Sequence, residues 1–204
     1  SNFAVRWGSV GFFGPLSVRP DLWDQGVGRL LMAPVLETFA EWNLSLAGLF
    51  TFAHSPKHLC LYQKYGFWPR ALTAILSRPI VPAHGLRRAT CFSEVPVGER
   101  EDCLAACREV TDAVYEGLDV TGEVLATAEH GFGDTVLIWE DDRLAALAVC
   151  HYGPNTEGGS GTCYAKFGAV RPDPRAGSVF RKLLDACSAL GAAHGATRFT
   201  TGVN

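Results

Sequence analysis

An internal repeat constrains the fold of this chain more than any other feature of its sequence. The segment "GPLSVRPD", which ends at Asp21, matches "KFGAVRPD", which ends at Asp173. Each is followed by an apolar run with helical spacing and then by a short strand-like run, "GLFTFAH" in the first copy and "RFTTGVN" in the second. Because the shared order of strand, loop, helix and strand extends well beyond the four letters VRPD, the pattern indicates a duplication.

Hydrophobic periodicity predicts the elements around the two copies. The first part predicts a strand in "VGFFGPLSV", a helix in "GRLLMAPVLETFAEWN", a strand in "LAGLFTFAH", a helix from Ser55 that stops at Gly66, and a strand in "ALTAILSRP". The second part predicts two helices, a hairpin that turns at "EDD", a strand, a helix and a last strand. A stretch rich in Pro, Gly and basic residues near 79–88 is typical of a linker. We therefore expect two domains, residues 1–79 and 87–204.

Composition and charge narrow the class of protein. Hydrophobic residues make up 48% of the chain and charged residues 19%, as in globular proteins of one or two domains. No apolar run is long enough to span a bilayer, and a net charge of −3 without a Lys/Arg block disfavours nucleic acid as the main partner. Seven cysteines without an export signal favour reduced thiols in a cytoplasmic protein. The histidines lack zinc-site spacing, so no metal is expected.

The two copies differ at the start of their helices. Gly26-Val27-Gly28 opens the first helix, whereas Ser178-Val179-Phe180 stands in the corresponding place of the second. Glycine lets a ligand approach the backbone closely, and the free N–H groups at the positive end of a helix dipole favour phosphate oxygens. The sequence therefore predicts a diphosphate site in the first copy and none in the second. The alternative is that both glycines only permit a tight turn.

Two motifs of the first copy resemble those of the acetyl-CoA-dependent N-acetyltransferases related to Gcn5, the GNAT superfamily. The family's loop pattern [QR]-x-x-G-x-[GA] is similar to residues 23–28, and its later helix pattern N-x-x-A-x-x-[LF]-Y-x-x-x-G-F is similar to residues 55–67. The second motif keeps Leu61, Tyr62, Gly66 and Phe67. The departures from the family patterns are Trp23 in place of Gln or Arg, Ser55 in place of Asn, and His58 in place of Ala.

The resemblance implies an α/β (α+β) fold. We expect a mixed, mostly antiparallel GNAT-type sheet, flanked by helices and splayed between two central strands, in two GNAT-like repeats. Acetyl-CoA would lie in the gap of the first repeat. Because the second repeat lacks the glycine loop, we expect that it has lost cofactor binding and instead forms one wall of the acceptor site.

The resemblance also implies residue roles. The backbone of strand residues 15–18 would bond the pantetheine arm and residues 24–29 would hold the pyrophosphate. With Ser55, this gives the cofactor-binding set Leu16, Ser17, Val18, Asp24, Gln25, Gly26, Val27, Gly28, Arg29 and Ser55. Tyr62 would be the general acid that protonates the departing thiolate, the alternative being an aromatic side chain packed in the core. His54 is the candidate general base, the alternative being a surface histidine while water carries the proton.

The resulting functional expectation is an N-acetyltransferase that moves acetyl directly from acetyl-CoA to a primary amine. Small amines, aminoglycosides, protein N-termini and lysines all stay open as acceptors, because fold does not fix substrate. The rival hypotheses are a non-catalytic CoA-binding or regulatory module and an interaction domain without a cofactor. Relative to tandem family members, the first copy lacks its front and the second its back. The chain is therefore expected to be a fragment of a longer protein, or its halves complement each other in one sheet or in a homodimer.

Overall fold

The computed structural model describes residues 1–81 and 90–203. It divides into two compact units, unit 1 at Ser1–Leu72 and unit 2 at Thr73–Asn204. Most of the predicted linker at 79–88, and the predicted start of the second domain at residue 87, lie outside the described residues. The domain bounds 1–79 and 87–204 therefore stay a prediction.

Unit 1 consists of a three-stranded sheet and two α-helices. Its elements are β1 (Ala4–Trp7), β2 (Val10–Phe13), α1 (Val27–Glu41), β3 (Leu46–Gly48) and α2 (Pro56–Gln63). The sheet order is β1-β2-β3, with β2 antiparallel to β1 and parallel to β3. The parallel register runs from Val10 opposite Leu46 to Phe12 opposite Gly48 and ends there. Beyond this point β2 and β3 no longer pair.

Both predicted strands that flank α1 are shorter than expected. The strand predicted over "VGFFGPLSV" ends at Phe13, and the one predicted over "LAGLFTFAH" ends at Gly48. Pro15 has no N–H with which to continue a ladder. Residues 14–18 nevertheless keep partial contact with the chain start, since Gly14 N–H donates to the Phe3 carbonyl over 2.9 Å.

The core of unit 1 joins the end of β2 to both helices. The buried side chains of this core are Phe13, Met32, Val35, Phe39 and Tyr62. Helix α1 continues through Pro34, and the Thr38 hydroxyl donates to the Pro34 carbonyl over 2.8 Å. The core therefore holds α1 and the face of α2 that carries Tyr62 against the end of β2.

The described residues of unit 2 form three α-helices and a six-stranded sheet. Its elements are β4 (Ala74–Pro79), β5 (Thr90–Cys91), α3 (Arg100–Val114), α4 (Thr121–Glu129), β6 (Gly133–Glu140), β7 (Arg143–Gly153), β8 (Gly159–Val170), α5 (Ala176–Ala193) and β9 (Arg198–Val203). The sheet order is β4-β9-β8-β7-β6-β5, and among these pairs β8 and β9 are parallel while the others are antiparallel. The predicted mixed, mostly antiparallel sheet with flanking helices is confirmed.

Turn chemistry explains the hairpin of β6 and β7 in unit 2. Asp141 and Asp142 both have positive φ, 49° and 60°, as a two-residue turn of the type I′ family requires, and Asp is among the residues that tolerate this conformation.

At one edge of the sheet β4 pairs with β9 from Ala74 opposite Val203 to Pro79 opposite Arg198. The strand that follows unit 1 in sequence therefore belongs to the sheet of unit 2.

The described part of the chain holds neither a membrane-spanning helix nor a cluster of metal ligands. Within residues 1–81 and 90–203, no helix combines the length and apolar character needed to cross a membrane. The same residues contain no cluster of three or more His, Cys, Asp or Glu side chains arranged to hold a metal ion.

Candidate functional site

The glycine loop of unit 1 meets the start of α1 in a conformation that needs glycine at one position. Gly26 caps the helix with φ 80° and ψ 0°, in the left-handed region, where a side chain is strained. Gly28 lies in the first turn, and a Cβ built there would meet Leu61 Cδ2 of α2 at 3.6 Å, an ordinary contact. The backbone conformation therefore explains Gly26, whereas the protein's own packing does not require glycine at position 28.

Main-chain donors are available around these glycines. Arg29 N–H bonds the Gly26 carbonyl over 3.0 Å, which closes the first turn. Within the described residues, the N–H groups of 24–28 have no hydrogen-bond acceptor. A run of unpaired N–H groups at a helix start is a favourable place for phosphate oxygens. The backbone present here therefore fits a pyrophosphate group.

Side chains hold the loop from outside and leave its donors open. The Trp23 indole Nε1–H donates to the Val18 carbonyl over 2.8 Å, and the ring stays 57% exposed. Lys57 Nζ of α2 lies 2.8 Å from Asp24 Oδ1 and 5.6 Å from the centre of the Trp23 ring. Gln25 Nε2 donates to the Asp21 carbonyl over 2.9 Å. Trp23 thus braces the loop without engaging the N–H groups of residues 24–28.

The corresponding helix start in unit 2 has its donors in use. Asp173 Oδ1 accepts the Arg175 N–H over 2.7 Å, and the Asp173 carbonyl accepts the Ala176 N–H over 2.9 Å. The N–H groups of Ser178 and Val179 both donate to the Arg175 carbonyl, just as those of Arg29 and Leu30 donate to the Gly26 carbonyl in α1, so these bonds do not distinguish the two helix starts. The two helix starts therefore differ in whether the N–H groups of the N-cap residue and of the first helical residue are free. The predicted correspondence was wrong, however, because Arg175, Ala176 and Gly177, and not Ser178-Val179-Phe180, occupy the positions of Gly26, Val27 and Gly28.

The backbone of 15–18 is only partly free for a ligand. Ser17 N–H donates to the Ser1 carbonyl over 2.9 Å, and the Ser17 carbonyl accepts from the Ser1 nitrogen over 2.8 Å. The Val18 carbonyl accepts the Trp23 indole. In the part of the chain that the structure describes, the N–H and carbonyl of Leu16 and the N–H of Val18 have no partner. Of the three residues predicted to bond a pantetheine arm, Leu16 and Val18 thus keep free groups, and Ser17 does not.

Tyr62 lies where the core of unit 1 meets α2. It is 7% exposed, and its ring packs edge-on against Phe13 with centroids 5.6 Å apart. Burial raises the pKa of the Tyr62 phenol above its usual value. Its hydroxyl has no hydrogen-bond partner among the described residues. Tyr62 therefore combines a packed ring with a protonated, uncommitted hydroxyl, so the packing alternative and the acid role are compatible.

The two polar residues predicted beside Tyr62 differ in their surroundings. His54 is exposed in a turn, and its ring contacts Phe52 with centroids 5.6 Å apart. Ser55 precedes α2, but its side chain does not cap the helix. Its Oγ lies 2.8 Å from His58 Nδ1, one turn further along. The sequence showed His58 only as a departure from a family pattern and could not predict this contact, which depends on rotamers.

The helix of the second motif runs beside the glycine loop. Gly28 faces Leu61, and Asp24 pairs with Lys57. The loop donors, the Ser55–His58 pair and the Tyr62 hydroxyl therefore belong to one region of unit 1. Arg29 is exposed at the end of the same loop.

Comparison with known proteins gives matches in sequence family and in fold. Residues 2–67 match the model of the Acetyltransferase (GNAT) family. A comparison with curated protein sequences gives no match.

Several solved structures share the fold across nearly the whole chain. A GCN5-related N-acetyltransferase from Sphaerobacter thermophilus is 14% identical with a TM-score of 0.54, over 99% of this chain and 67% of that one. A GCN5-related N-acetyltransferase from Kribbella flavida is 15% identical with a TM-score of 0.51, over 97% of this chain and 47% of that one. A glucosamine N-acetyltransferase region of a fungal multi-domain β-N-acetylglucosaminidase is 13% identical with a TM-score of 0.60, over 93% and 26%.

The chain thus spans between about a quarter and two thirds of the length of these three proteins. At such identities the similarity shows the fold, while the match of residues 2–67 falls on the segment that carries the glycine loop and α2. Residues 2–67 belong to the acetyltransferase (GNAT) family, and the chain has the fold of that family.

Proposed function

We propose that this protein is an acetyl-CoA-dependent N-acetyltransferase whose cofactor site lies in unit 1. The observation that carries the proposal is the row of unpaired N–H groups at 24–28, at the start of α1. Gly28 supports it further, because its missing side chain leaves space that the protein's own packing does not need. Transfer is direct, to a primary amine, without a covalent enzyme intermediate.

The chain's own residues would act as follows. When bound, acetyl-CoA supplies the acetyl group as an activated thioester. Residues 24–29 hold the pyrophosphate, with the unpaired N–H groups of 24–28 as its main-chain donors, and the free groups of Leu16 and Val18 bond the pantetheine arm. The Tyr62 hydroxyl gives its proton to the departing sulfur, and its raised pKa keeps that proton in place at neutral pH. Acyl transfer as a reaction class agrees with the family of residues 2–67.

A non-catalytic CoA-binding module is the rival function. It is favoured by the exposure of His54, which leaves the predicted base in a solvent-facing turn. A cofactor site without a base would bind CoA and turn over no amine.

Thiol release from acetyl-CoA over a panel of primary amines separates the two functions. The panel contains alkylamines, aminoglycosides, and peptides with a free N-terminus or a lysine. We expect turnover with at least one class and a loss of about 10²-fold or more in Tyr62→Phe, with CoA affinity unchanged. Binding without turnover, the same in Tyr62→Phe, supports the module, and no binding of CoA at all contradicts both functions.

A further inference from the structure

Ser55, His58 and Tyr62 form a polar row along one face of α2. They stand at positions i, i+3 and i+7, a spacing that places side chains on the same side of a helix. The His58 ring lies nearly parallel to the Tyr62 ring, at 14°, with centroids 6.2 Å apart. The imidazole is therefore a neighbour of the aromatic ring that carries the hydroxyl to which the acid role is assigned.

The Ser55–His58 hydrogen bond replaces a helix cap. A serine at this position normally bonds a main-chain N–H of the first turn, which stabilises the helix. Here Ser55 makes no such bond, and its Oγ instead contacts His58 Nδ1 at 2.8 Å. The hydroxyl thus fixes the orientation of a half-buried imidazole.

The other ring nitrogen of His58 is uncommitted. Throughout residues 1–81 and 90–203, no group hydrogen-bonds His58 Nε2 and no charged side chain pairs with the ring. Lys57, its neighbour in sequence, is bonded to Asp24 instead. If Nδ1–H donates to Ser55 Oγ, the lone pair of the neutral imidazole lies on Nε2, ready to accept a proton.

We propose that His58 Nε2 is the base that takes the proton from the acceptor ammonium, and that Ser55 is a positioning residue that sets the required tautomer. The inference rests on the acetyl transfer proposed above and assigns His58, rather than His54, to this role. The protonated amine gives one proton to Nε2, from which it passes to solvent, and the neutral nitrogen then attacks the thioester carbonyl. As the C–N bond forms and the C–S bond breaks, the sulfur takes the Tyr62 proton, and the phenolate recovers one from the new amide nitrogen.

The test compares His58→Gln with His54→Gln, and uses His130→Gln, an exposed histidine of unit 2, as the matched control. For an alkylamine, we expect kcat/KM at pH 7 to fall about 10²–10⁴-fold in His58→Gln, and to stay unchanged in His130→Gln. An alkoxyamine is already neutral at pH 7 and needs no base, so its defect in His58→Gln should be much smaller. CoA affinity, measured by calorimetry, should stay within a factor of two.

A second measurement does not depend on turnover. Nitrogen NMR of the His58 ring should show the Nδ1–H tautomer in the wild type and a mixture in Ser55→Ala, with Ser55→Thr restoring the wild-type spectrum. The Nε2–H tautomer in the wild type would overturn the inference.

The kinetic outcomes separate the two proposals. Equal defects of His58→Gln for both amines, or a defect in His54→Gln instead, overturn the role of His58 while acetyl transfer stands. A wild type that acetylates no amine overturns the proposed function and this inference with it.

Discussion

His151 of β7 is a buried histidine outside the candidate site. It is 3% exposed, its Nε2 lies 3.2 Å from Thr127 Oγ1, and its Nδ1 is buried without a hydrogen-bond partner in the described structure. Nearby, Lys166 bonds Glu123 and Glu157 over 2.8 and 2.6 Å. Burial, with a smaller contribution from the Lys166 charge, lowers the pKa of His151. The folded state therefore holds this imidazole neutral.

This burial predicts an acid-sensitive unit 2. Because the pKa of His151 is depressed on folding, the unfolded chain binds a proton first as pH falls below about 6.5. The free energy of unfolding should thus be fully retained above that pH and decrease below it. Urea titrations across this pH range should show that the free energy of unfolding depends less on pH in His151→Gln than in the wild type. In His130→Gln, which changes an exposed histidine, the free energy of unfolding should depend on pH as it does in the wild type. An unchanged slope in His151→Gln would show that other groups cause the acid sensitivity.

At the residue scale, the sequence predicted backbone conformation better than side-chain contacts. Gly26 adopts the left-handed conformation, as the tight-turn alternative for a glycine at this helix start requires, and the diphosphate role of Gly26 and Gly28 stays a prediction. The Ser55–His58 hydrogen bond could not be predicted, because it depends on side-chain rotamers. The backbone hydrogen bond from Ser17 to Ser1 could not be predicted either, because it depends on how the chain start pairs with residues 14–18.

At the scale of single elements, α5 shows how a missing side chain sets helix-to-sheet distance. A Cβ at Gly191 would lie 2.6 Å from Cys163 Cβ of β8 and 3.0 Å from Ile80 Cδ1. Gly177, in the first turn of the same helix, has nothing within 4 Å of its Cβ position. The close approach of α5 to β8 therefore depends on glycine at position 191 and not at position 177.

Alanine substitutions at Gly191 and Gly177 should change the stability of unit 2 in opposite directions. Gly191→Ala forces α5 away from β8 and should lower the free energy of unfolding by about 1–3 kcal/mol. Gly177→Ala should raise it by up to about 1 kcal/mol, because alanine loses less backbone entropy in a helix. Chemical denaturation of the two variants measures both, and equal effects would show that α5 is free to shift.

Element types were predictable where periodicity was long, and their ends were not. The helices over 100–114 and 176–193 and the hairpin of β6 and β7 follow their hydrophobic patterns. The strands predicted beside α1 are cut short because their residues beyond Phe13 and Gly48 have no pairing strand. Local sequence does not encode which neighbour a strand finds.

For the whole molecule, the position of β4 decides where unit 2 begins. Sequence order assigned this strand to the first domain, whereas it forms the edge of the unit 2 sheet beside β9. Ile80, directly after it, packs on the unit 2 core and donates its N–H to the Thr197 carbonyl over 2.8 Å. Removing β4 would leave β9 as an unpaired edge.

Two fragments test this boundary. A fragment of residues 73–204 should unfold cooperatively, whereas one of residues 90–204 should be less stable and prone to association through the edge of β9. Circular dichroism melts and sedimentation measure both properties. Equal stability and equal monomer content would show that β4 contributes nothing to unit 2.

The central claim is that open main-chain donors at the start of α1 hold a diphosphate. Gly28 and Gly177 occupy the same place, the second residue, in α1 and α5, and each accepts a Cβ without a clash. Calorimetric titration of CoA into the wild type, Gly28→Val and Gly177→Val therefore isolates the loop of unit 1. We predict binding to the wild type, a loss of at least about tenfold (roughly 1.4 kcal/mol) in Gly28→Val, and wild-type affinity in Gly177→Val. Equal affinity in all three proteins, or no binding to the wild type, would contradict the account.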